Sequence, residues 1–526
     1  MAEPATSCAS STPDTWTYDP KLAIEKQLEC IIANELPFDM FSRPRWTQFV
    51  QQNLQPAYER VSKYTTKRLA FKYYIKAKKD MIAYFENFQG KVSLTIHVWD
   101  TLCTDLKFLV ITCHWIDPDT WKLSKRTVCI QGEENVHETV IECVNDFGLK
   151  DKIFSICLDD VGDAMYAEGM ENLKRDLNPM FNGILFETKC VSHVLISMVQ
   201  TCLDHVDPVI EKARNMLFYV NSLKYDKFKE FLRGKGVKYT GPSLNCPDMW
   251  NTTYKMLCGI IAQKALLIEF YASSGENDIN YNDWVVIESL LGILKVFYSS
   301  TVRLSNAKSP STPLLLGECL LISDMFKKYK QDPFWQPVIT KLQSMFLKYY
   351  KTIPPVFSCA TALNPKIGVK GVENILEDIG ANLGLSNNMS DSTFAKSECG
   401  IISSDLELYN KTDFSQVMTS DDEETKMLEW WSVKGCHLFP VLAEMVHDLL
   451  TVQACVEDLE YAFCFKGREL DEKTSMGYPW WLQRRIFLKE HFDEVGWEGN
   501  GELVEDLEGE CESHNYDRLS DASDEE

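Results

Sequence analysis

No two of the eighteen cysteines stand three apart as a CxxC pair, and several sit in apolar runs such as FSICLDD and MLCGII. That pattern excludes a zinc ribbon or a disulfide framework and suits reduced, buried thiols in the cytosol or nucleus. Also missing is any run approaching the roughly 18 uncharged apolar residues a membrane span needs. The N-terminus, MAEPATSCASSTPD, lacks the basic start and apolar stretch of a secretion signal. The chain is therefore expected to be neither secreted nor membrane-embedded. Basic charge is scarce overall, with 54 Lys and Arg against 77 Asp and Glu and a formal net charge of −23. That balance argues against a nucleic-acid partner until its distribution along the chain is read.

The distribution reverses the argument. From Phe492 onward fourteen acidic residues face one basic residue, Arg518, and the chain ends in LSDASDEE. Residues 492–526 are expected to be an acidic disordered tail, too charged and too poor in aromatics to bury a core. Between Arg43 and Lys79 ten basic residues face one acidic residue, Glu59, a net of +9 in 37 residues. Within that stretch Arg60, Lys63, Lys67, Arg68, Lys72, Lys76, Lys78 and Lys79 recur along a helical pattern with Tyr64, Leu69, Phe71 and Ile75 as apolar partners. So one-sided a face reads as a phosphate-contacting surface, or else as a solvated helix face.

At 526 residues the chain can bury a large core in two or three packed units. Residues 1–20 read as a flexible leader and 21–90 as a basic helical region, with a break near Pro37 and a turn at Arg43-Pro44-Arg45. Three strand-like runs follow at 92–99, 107–115 and 123–131, rich in Val, Ile, Thr and aromatics. A helix over 134–145 leads to KIFSICL at 152–158, an apolar run typical of a strand covered on both faces. Another strand at 183–188 and a long helix from Cys190 complete a βββαβα order across 91–206. From 207 to 380 amphipathic helical stretches dominate, at 207–234, 251–273, 281–304, 313–330 and 335–350. Residues 381–426 read as a linker, and 427–491 as a compact helical unit.

Five blocks, in one order, resemble the hAT family of transposases, and among them the plant RICESLEEPER and DAYSLEEPER group. VSLTIHVWDT with CHWIDPDTWKLSKR corresponds to the family's first-aspartate strand and following strand pair, and KIFSICLDD to its second-aspartate strand. KCVSHVLISMVQ corresponds to its Cys-x-x-His helix, CPDMWNTTYKML to its RWNSTY segment, and the stretch from MLEWW to GREL to its C-terminal dimerisation segment. The resemblance implies an α/β fold: an RNase-H-like core, a large all-helical insertion and a helical dimerisation segment. It also implies a two-metal site of two aspartates and a glutamate, because phosphoryl transfer of this kind needs carboxylates to hold two hard cations. The second aspartate falls on Asp159 and the glutamate on Glu460, but the first falls on His97. An imidazole brings one neutral nitrogen and a poor fit to Mg²⁺. Asp100 lies on the opposite face of the strand, and Asp105 in the next turn. Transposase activity is therefore expected to be lost, with no metal or cofactor held.

The family's Arg-Trp pair is Met249-Trp250 here. Cys190, His193, Cys202 and His205 have a zinc-like spacing, but on one helix the two pairs lie about 18 Å apart and do not share an ion. Residues 1–21 show no BED-type zinc finger, which is expected either to have been lost or to belong to a longer gene. The expectation is a domesticated, nuclear, homodimeric DNA-binding protein whose DNA contacts are weak, non-specific and salt-sensitive. Those contacts are assigned to Arg43, Arg45, Arg60, Lys63, Lys67, Arg68, Lys72, Lys76, Lys122, Lys125 and Arg126, with Trp250 available to stack on a base. The dimer seam is assigned to Trp430, Trp431, Leu442, Met445, Leu449 and Leu450. The acidic tail would compete with DNA or bind basic protein partners. Residual metal-dependent nuclease activity and a pure protein-interaction scaffold are the rival readings.

Overall fold

A computed structural model describes residues 17–497, 503 and 504, apart from 102–106, 133–134, 160–163, 178–184, 238–243, 275–278, 307–308, 386–403, 413, 415–426, 457–458, 460, 465–468 and 471–478. Two compact units emerge, Met1–Ala83 with Arg484–Glu526, and Tyr84–Gln483.

The first unit is helical. Asp19 starts α1 (Pro20–Ala33) by accepting from the backbone N–H of Lys21 and Leu22, with Pro20 supplying a pre-set first turn. Helix α2 (Pro44–Asn53) follows the Arg43-Pro44 turn. Most of α3 (Lys63–Asn87) lies here, burying Leu69, Ala70, Tyr73, Tyr74 and Ala77. The later residues of the chain return to cover it: Phe487 packs edge-on against Tyr74 at 5.2 Å and Phe492 against Tyr73 at 5.7 Å. The Arg484 guanidinium lies 4.4 Å above the Phe71 ring.

The second unit is built on a mixed sheet in the order β3-β2-β1-β4-β5. The strands are β1 (Val92–Thr101), β2 (Lys107–Ile116), β3 (Leu123–Gly132), β4 (Ile153–Leu158) and β5 (Phe186–Lys189). The first three run antiparallel, and β4 and β5 run parallel to β1. A two-residue β6 (Glu469–Leu470) joins the far end of β1. All six residues of β4 are buried, as its unbroken apolar run requires of a strand with both faces covered. Helices α4 (Val136–Asp146) and α5 (Ala164–Asp176) lie between β3 and β5 in the chain.

Helix α6 (Val191–Phe218) leaves β5 and carries the chain into the helical block, bending at Val206, two residues before Pro208. The block continues as α7 (Tyr225–Gly234), α8 (Trp250–Ala262), α9 (Lys264–Ser274), α10 (Tyr281–Leu304), α11 (Leu315–Tyr329), α12 (Gln336–Tyr350), α13 (Pro355–Ala362) and α14 (Gly368–Leu383). Helix α10 is long and apolar enough to cross a membrane by length and composition, although Glu288 and Lys295 interrupt its apolar run. Here it is a core helix: Trp284, Ile287, Leu290, Ile293, Leu294 and Phe297 are buried in the main hydrophobic cluster. Its start is fixed by a capping box between Asn280 and Asp283, and Arg303 near its end pairs with the buried Glu318 at 2.8 Å.

A correction concerns 381–426. Helix α14 runs to Leu383 and ends on a left-handed Gly384, and α15 (Ser404–Lys411) lies inside the supposed linker. Tyr409 of α15 is buried, stacks on Trp431 at 6.0 Å and donates to the Ala362 carbonyl at 3.1 Å. Asp405 accepts from the Val441 N–H at 2.9 Å, so α15 caps the start of a later helix. The C-terminal helices are α16 (Met427–Trp430), α17 (Cys436–Leu438), α18 (Pro440–Leu449) and α19 (Pro479–Val495).

At the end of α18 the Asp448 carboxylate accepts from the Lys91 N–H at 3.1 Å. Burial raises its pKa to about 6 from an ordinary 3.8, against the lowering effect of Lys91. A carboxyl raised on folding contributes stability that is full below about pH 4 and is lost as pH rises through 6. Asp448→Asn is therefore expected to gain on the unaltered chain by up to about 3 kcal/mol between pH 4 and pH 7. Urea midpoints of the two proteins across that range check it, and parallel curves would refute it.

Candidate functional site

Because β1 and β4 are parallel neighbours, with Ile96 opposite Leu158, the next residue on each, His97 and Asp159, meet at the same end of the sheet. The Asp159 N–H extends the ladder by donating to the Ile96 carbonyl at 3.2 Å. Next along the sheet, β5 delivers Cys190, whose N–H donates to the Leu158 carbonyl at 2.8 Å, and α6 begins at once. His193 in its first turn is thereby aimed at Asp159. The resulting cluster has His193 Nε2 at 2.8 Å from Asp159 Oδ1 and His97 Nε2 at 3.4 Å from Asp159 Oδ2. Side-chain exposure is 8% for His97 and 12% for Asp159, rising to 26% for His193. The cluster is therefore largely shielded from solvent, least so at His193 on the helix.

Trp99, two residues along the same face of β1, donates its indole N–H to His97 Nδ1 at 2.9 Å. Indole nitrogen only donates, so Nδ1 must accept and a neutral His97 carries its proton on Nε2, facing Asp159. The Nε2 proton is thus turned toward the Asp159 carboxylate, across 3.4 Å. Asp100 is exposed and lies 3.8 Å from Lys107, away from the cluster. Asp105 and Glu460 lie outside the described residues. The strap that leads toward Glu460 is anchored beside the site: the Val191 N–H donates to the Ala454 carbonyl at 2.9 Å, and the Thr188 hydroxyl to that of Gln453 at 3.3 Å.

The sequence places His193 in a zinc-like spacing and in the Cys-x-x-His helix of the family resemblance, without a site role, and the structure makes it a member of the site. The other three residues of that spacing go elsewhere. Cys190 is buried against Cys455, with sulfurs 3.8 Å apart; Cys202 is buried in the core, its thiol pushed up to about 12; His205 packs on Phe334 at 4.8 Å between ring centroids.

Three family models match in the order of the folded segments: the ZBED1 RNase-like domain at residues 95–184, the ZBED1 RNase-like helical domain at 188–293, and the hAT family C-terminal dimerisation region at 405–490. The chain carries a hAT family C-terminal dimerisation region behind ZBED1-type RNase-like segments. Its relatives include the zinc finger BED domain-containing protein RICESLEEPER 2 of Oryza sativa subsp. japonica, 24% identical over 80% of this chain and 67% of that protein. DAYSLEEPER of Arabidopsis thaliana is 25% identical over 85% of this chain and 70% of that one. A putative AC transposase of Zea mays is 21% identical over 87% and 63%.

The remaining residues assigned from sequence divide between surface and core. Arg68, Lys72, Lys76 and Lys79 form one stripe on α3, opposite the buried Leu69, Ala70, Tyr73 and Ala77. Eleven helical steps make that stripe about 17 Å long. Arg43, Arg45, Arg60 and Lys63 are exposed nearby in sequence, Lys67 is half-buried, and Arg43 pairs with Asp39 at 3.3 Å. Lys122 is exposed and Lys125 half-buried, but Arg126 is only 4% exposed. Adjacent residues of a strand face opposite ways, so Lys125 and Arg126 cannot both reach a phosphate. Trp250 is corrected too: it is fully buried at the start of α8, 5.1 Å from the Phe463 ring, and no base can stack on it.

Five of the six residues assigned to the dimer seam also turn inward. Trp430, Trp431, Leu442, Leu449 and Leu450 are buried within the chain, and Trp431 donates to the Leu363 carbonyl at 3.1 Å. A Cβ on Gly435 would run into the Trp431 and Trp430 rings, so this packing needs glycine there. Met445 alone faces out, beside Val441 one turn earlier and near Leu438 and Val433 in sequence, each 47–60% exposed.

Proposed function

We propose that this chain is a nuclear, homodimerising DNA-binding protein of domesticated hAT type that lacks strand-transfer activity. The carrying observation is that the position corresponding to the family's first aspartate holds His97, and that its Nε2 faces Asp159 while Trp99 holds Nδ1. Two-metal transfer requires a carboxylate there to share a cation with its neighbour. The imidazole adds no negative charge and lies against one oxygen of the remaining carboxylate, while His193 lies against the other. Mg²⁺, which prefers oxygen donors in near-octahedral geometry, has little to bind.

DNA contact is assigned to the stripe on α3, whose charge and length suit a run of backbone phosphates. Dimerisation rests on the segment that matches the family's dimerisation region. Duplex DNA is expected to bind at 50 mM salt and to weaken by orders of magnitude by 200 mM. A triple Arg68→Glu, Lys72→Glu, Lys76→Glu variant should lower the slope of log affinity against log salt by about 3, since each phosphate contact contributes about 0.9. Mobility-shift titrations over salt test this. Wild-type binding by the triple variant would remove α3 as the DNA face, and absence of binding at low salt would leave the protein-interaction scaffold. DNA cleavage in Mn²⁺ that Asp159→Ala abolishes would restore the nuclease reading.

A further inference from the structure

We propose that His97, Asp159 and His193 form a three-ligand site for a single nitrogen-preferring divalent ion of the Zn²⁺ class, with the Trp99 hydrogen bond as its restraint. One ligand atom from each residue lies within 4.8 Å of the other two. Tetrahedral ligands at Zn–N and Zn–O distances of about 2.0–2.1 Å stand about 3.3 Å apart. His97 Nε2 stands 3.4 Å from Asp159 Oδ2 and His193 Nε2 2.8 Å from Oδ1, so an ion between the imidazoles would have the two carboxylate oxygens to choose from, and the three ligand atoms, already within 4.8 Å of one another, would shift by about an ångström to close on it. Two imidazoles and one carboxylate with a fourth position for water is a donor set that suits Zn²⁺ and Co²⁺ and does not suit Mg²⁺. His193, the most exposed of the three, marks the side from which an ion and its water would enter. The same substitution that removes hard-cation chemistry therefore creates a borderline-metal site.

Trp99 sets the strength of that site. A metal on His97 Nε2 takes the lone pair there and moves the ring proton to Nδ1. That proton would face the indole N–H across 2.9 Å, two donors with no acceptor between them. Metal-bound histidines ordinarily donate from the second nitrogen to a carboxylate or carbonyl. Here the second nitrogen meets a donor, so binding must break the Trp99 hydrogen bond, and removal of the indole N–H should tighten the site.

The ion site stands apart from the DNA-binding reading, and its test contains no DNA. Co²⁺ is titrated into the full chain under reducing conditions and followed by visible absorption, with Mg²⁺ in excess as a competitor. One equivalent should give ligand-field bands of a nitrogen–oxygen site that survive Mg²⁺, are displaced by Zn²⁺, and vanish in His193→Ala and in Asp159→Asn. Trp99→Phe, checked by its melting curve, should bind at least tenfold more tightly. A thiolate charge-transfer band would place the ion on cysteines and overturn the proposal. Absence of binding, or bands unchanged by His193→Ala, would overturn it as well. Should Trp99→Phe fail to fold, the His193 and Asp159 variants still decide the question.

Discussion

Aspartate at both Leu442 and Leu449 is expected to unfold the C-terminal helical segment, not to separate two intact protomers. Both side chains are under a tenth exposed, and with Ala443 and Val446 they form the inner face of α18. Truncating a buried leucine costs about 2–5 kcal/mol, and placing an unpaired carboxylate in the same space adds several more. The double change therefore approaches the whole stability of a typical domain, about 5–15 kcal/mol. On the outer face the result should be opposite. Val441→Glu with Met445→Glu alters positions 47–48% exposed, where substitutions away from special features cost about 0.5 kcal/mol or less. If these residues form the seam, the pair of glutamates places like charges against each other across a two-fold axis and dissociates the dimer with little change in melting temperature. Light scattering with thermal melts separates the two behaviours. A Val441, Met445 variant that stays dimeric moves the seam elsewhere, and a Leu442, Leu449 variant that melts like wild type contradicts the burial.

Much of the fold is legible in the sequence, for identifiable reasons. Strands β1 to β4 alternate or run apolar without interruption, and their ends fall within one or two residues of the positions read from pattern. The first part of β5 is only half-buried, a weak signal, and it lies at 186–189 where 183–188 was expected. Helix α15 was not legible because its composition is that of a linker. Its place is set by one aromatic side chain, Tyr409, and one cap, Asp405, both acting on segments far away in sequence.

The site divides in the same way. His97 and Asp159 could be paired from the sequence because the family resemblance places its two aspartates on these two recognisable strands. His193 could not, since its meaning depends on β5 lying beside β4, a tertiary fact; the available signal was a histidine in the first turn of the helix that follows that strand. The inward turn of Trp250, Arg126 and the seam leucines shows the limit from the other side. Residue type names what a side chain can do, and only burial decides whether it meets a partner.

His97→Asp is expected to convert the cluster from a nitrogen-preferring to an oxygen-preferring one. The change puts a carboxylate beside Asp159 on neighbouring parallel strands, which is the arrangement hard divalent cations require. It also removes the imidazole that lies 3.4 Å from Asp159 Oδ2, freeing that oxygen. The Trp99 indole, which restrains metal binding while it faces a histidine, becomes a compatible donor once it faces a carboxylate oxygen. Three effects therefore act in the same direction, and Mn²⁺ affinity should rise by at least tenfold, or about 1.4 kcal/mol. Calorimetric titration of Mn²⁺ into the unaltered chain and into His97→Asp reads this directly. Two carboxylates side by side without a cation repel each other, so the variant should also melt lower in chelator and recover when Mn²⁺ is added, a linkage absent from the unaltered chain. A variant that binds Mn²⁺ no better than its parent would mean that the ends of β1 and β4 no longer hold the metal-binding geometry, and the loss of chemistry would then extend beyond one residue.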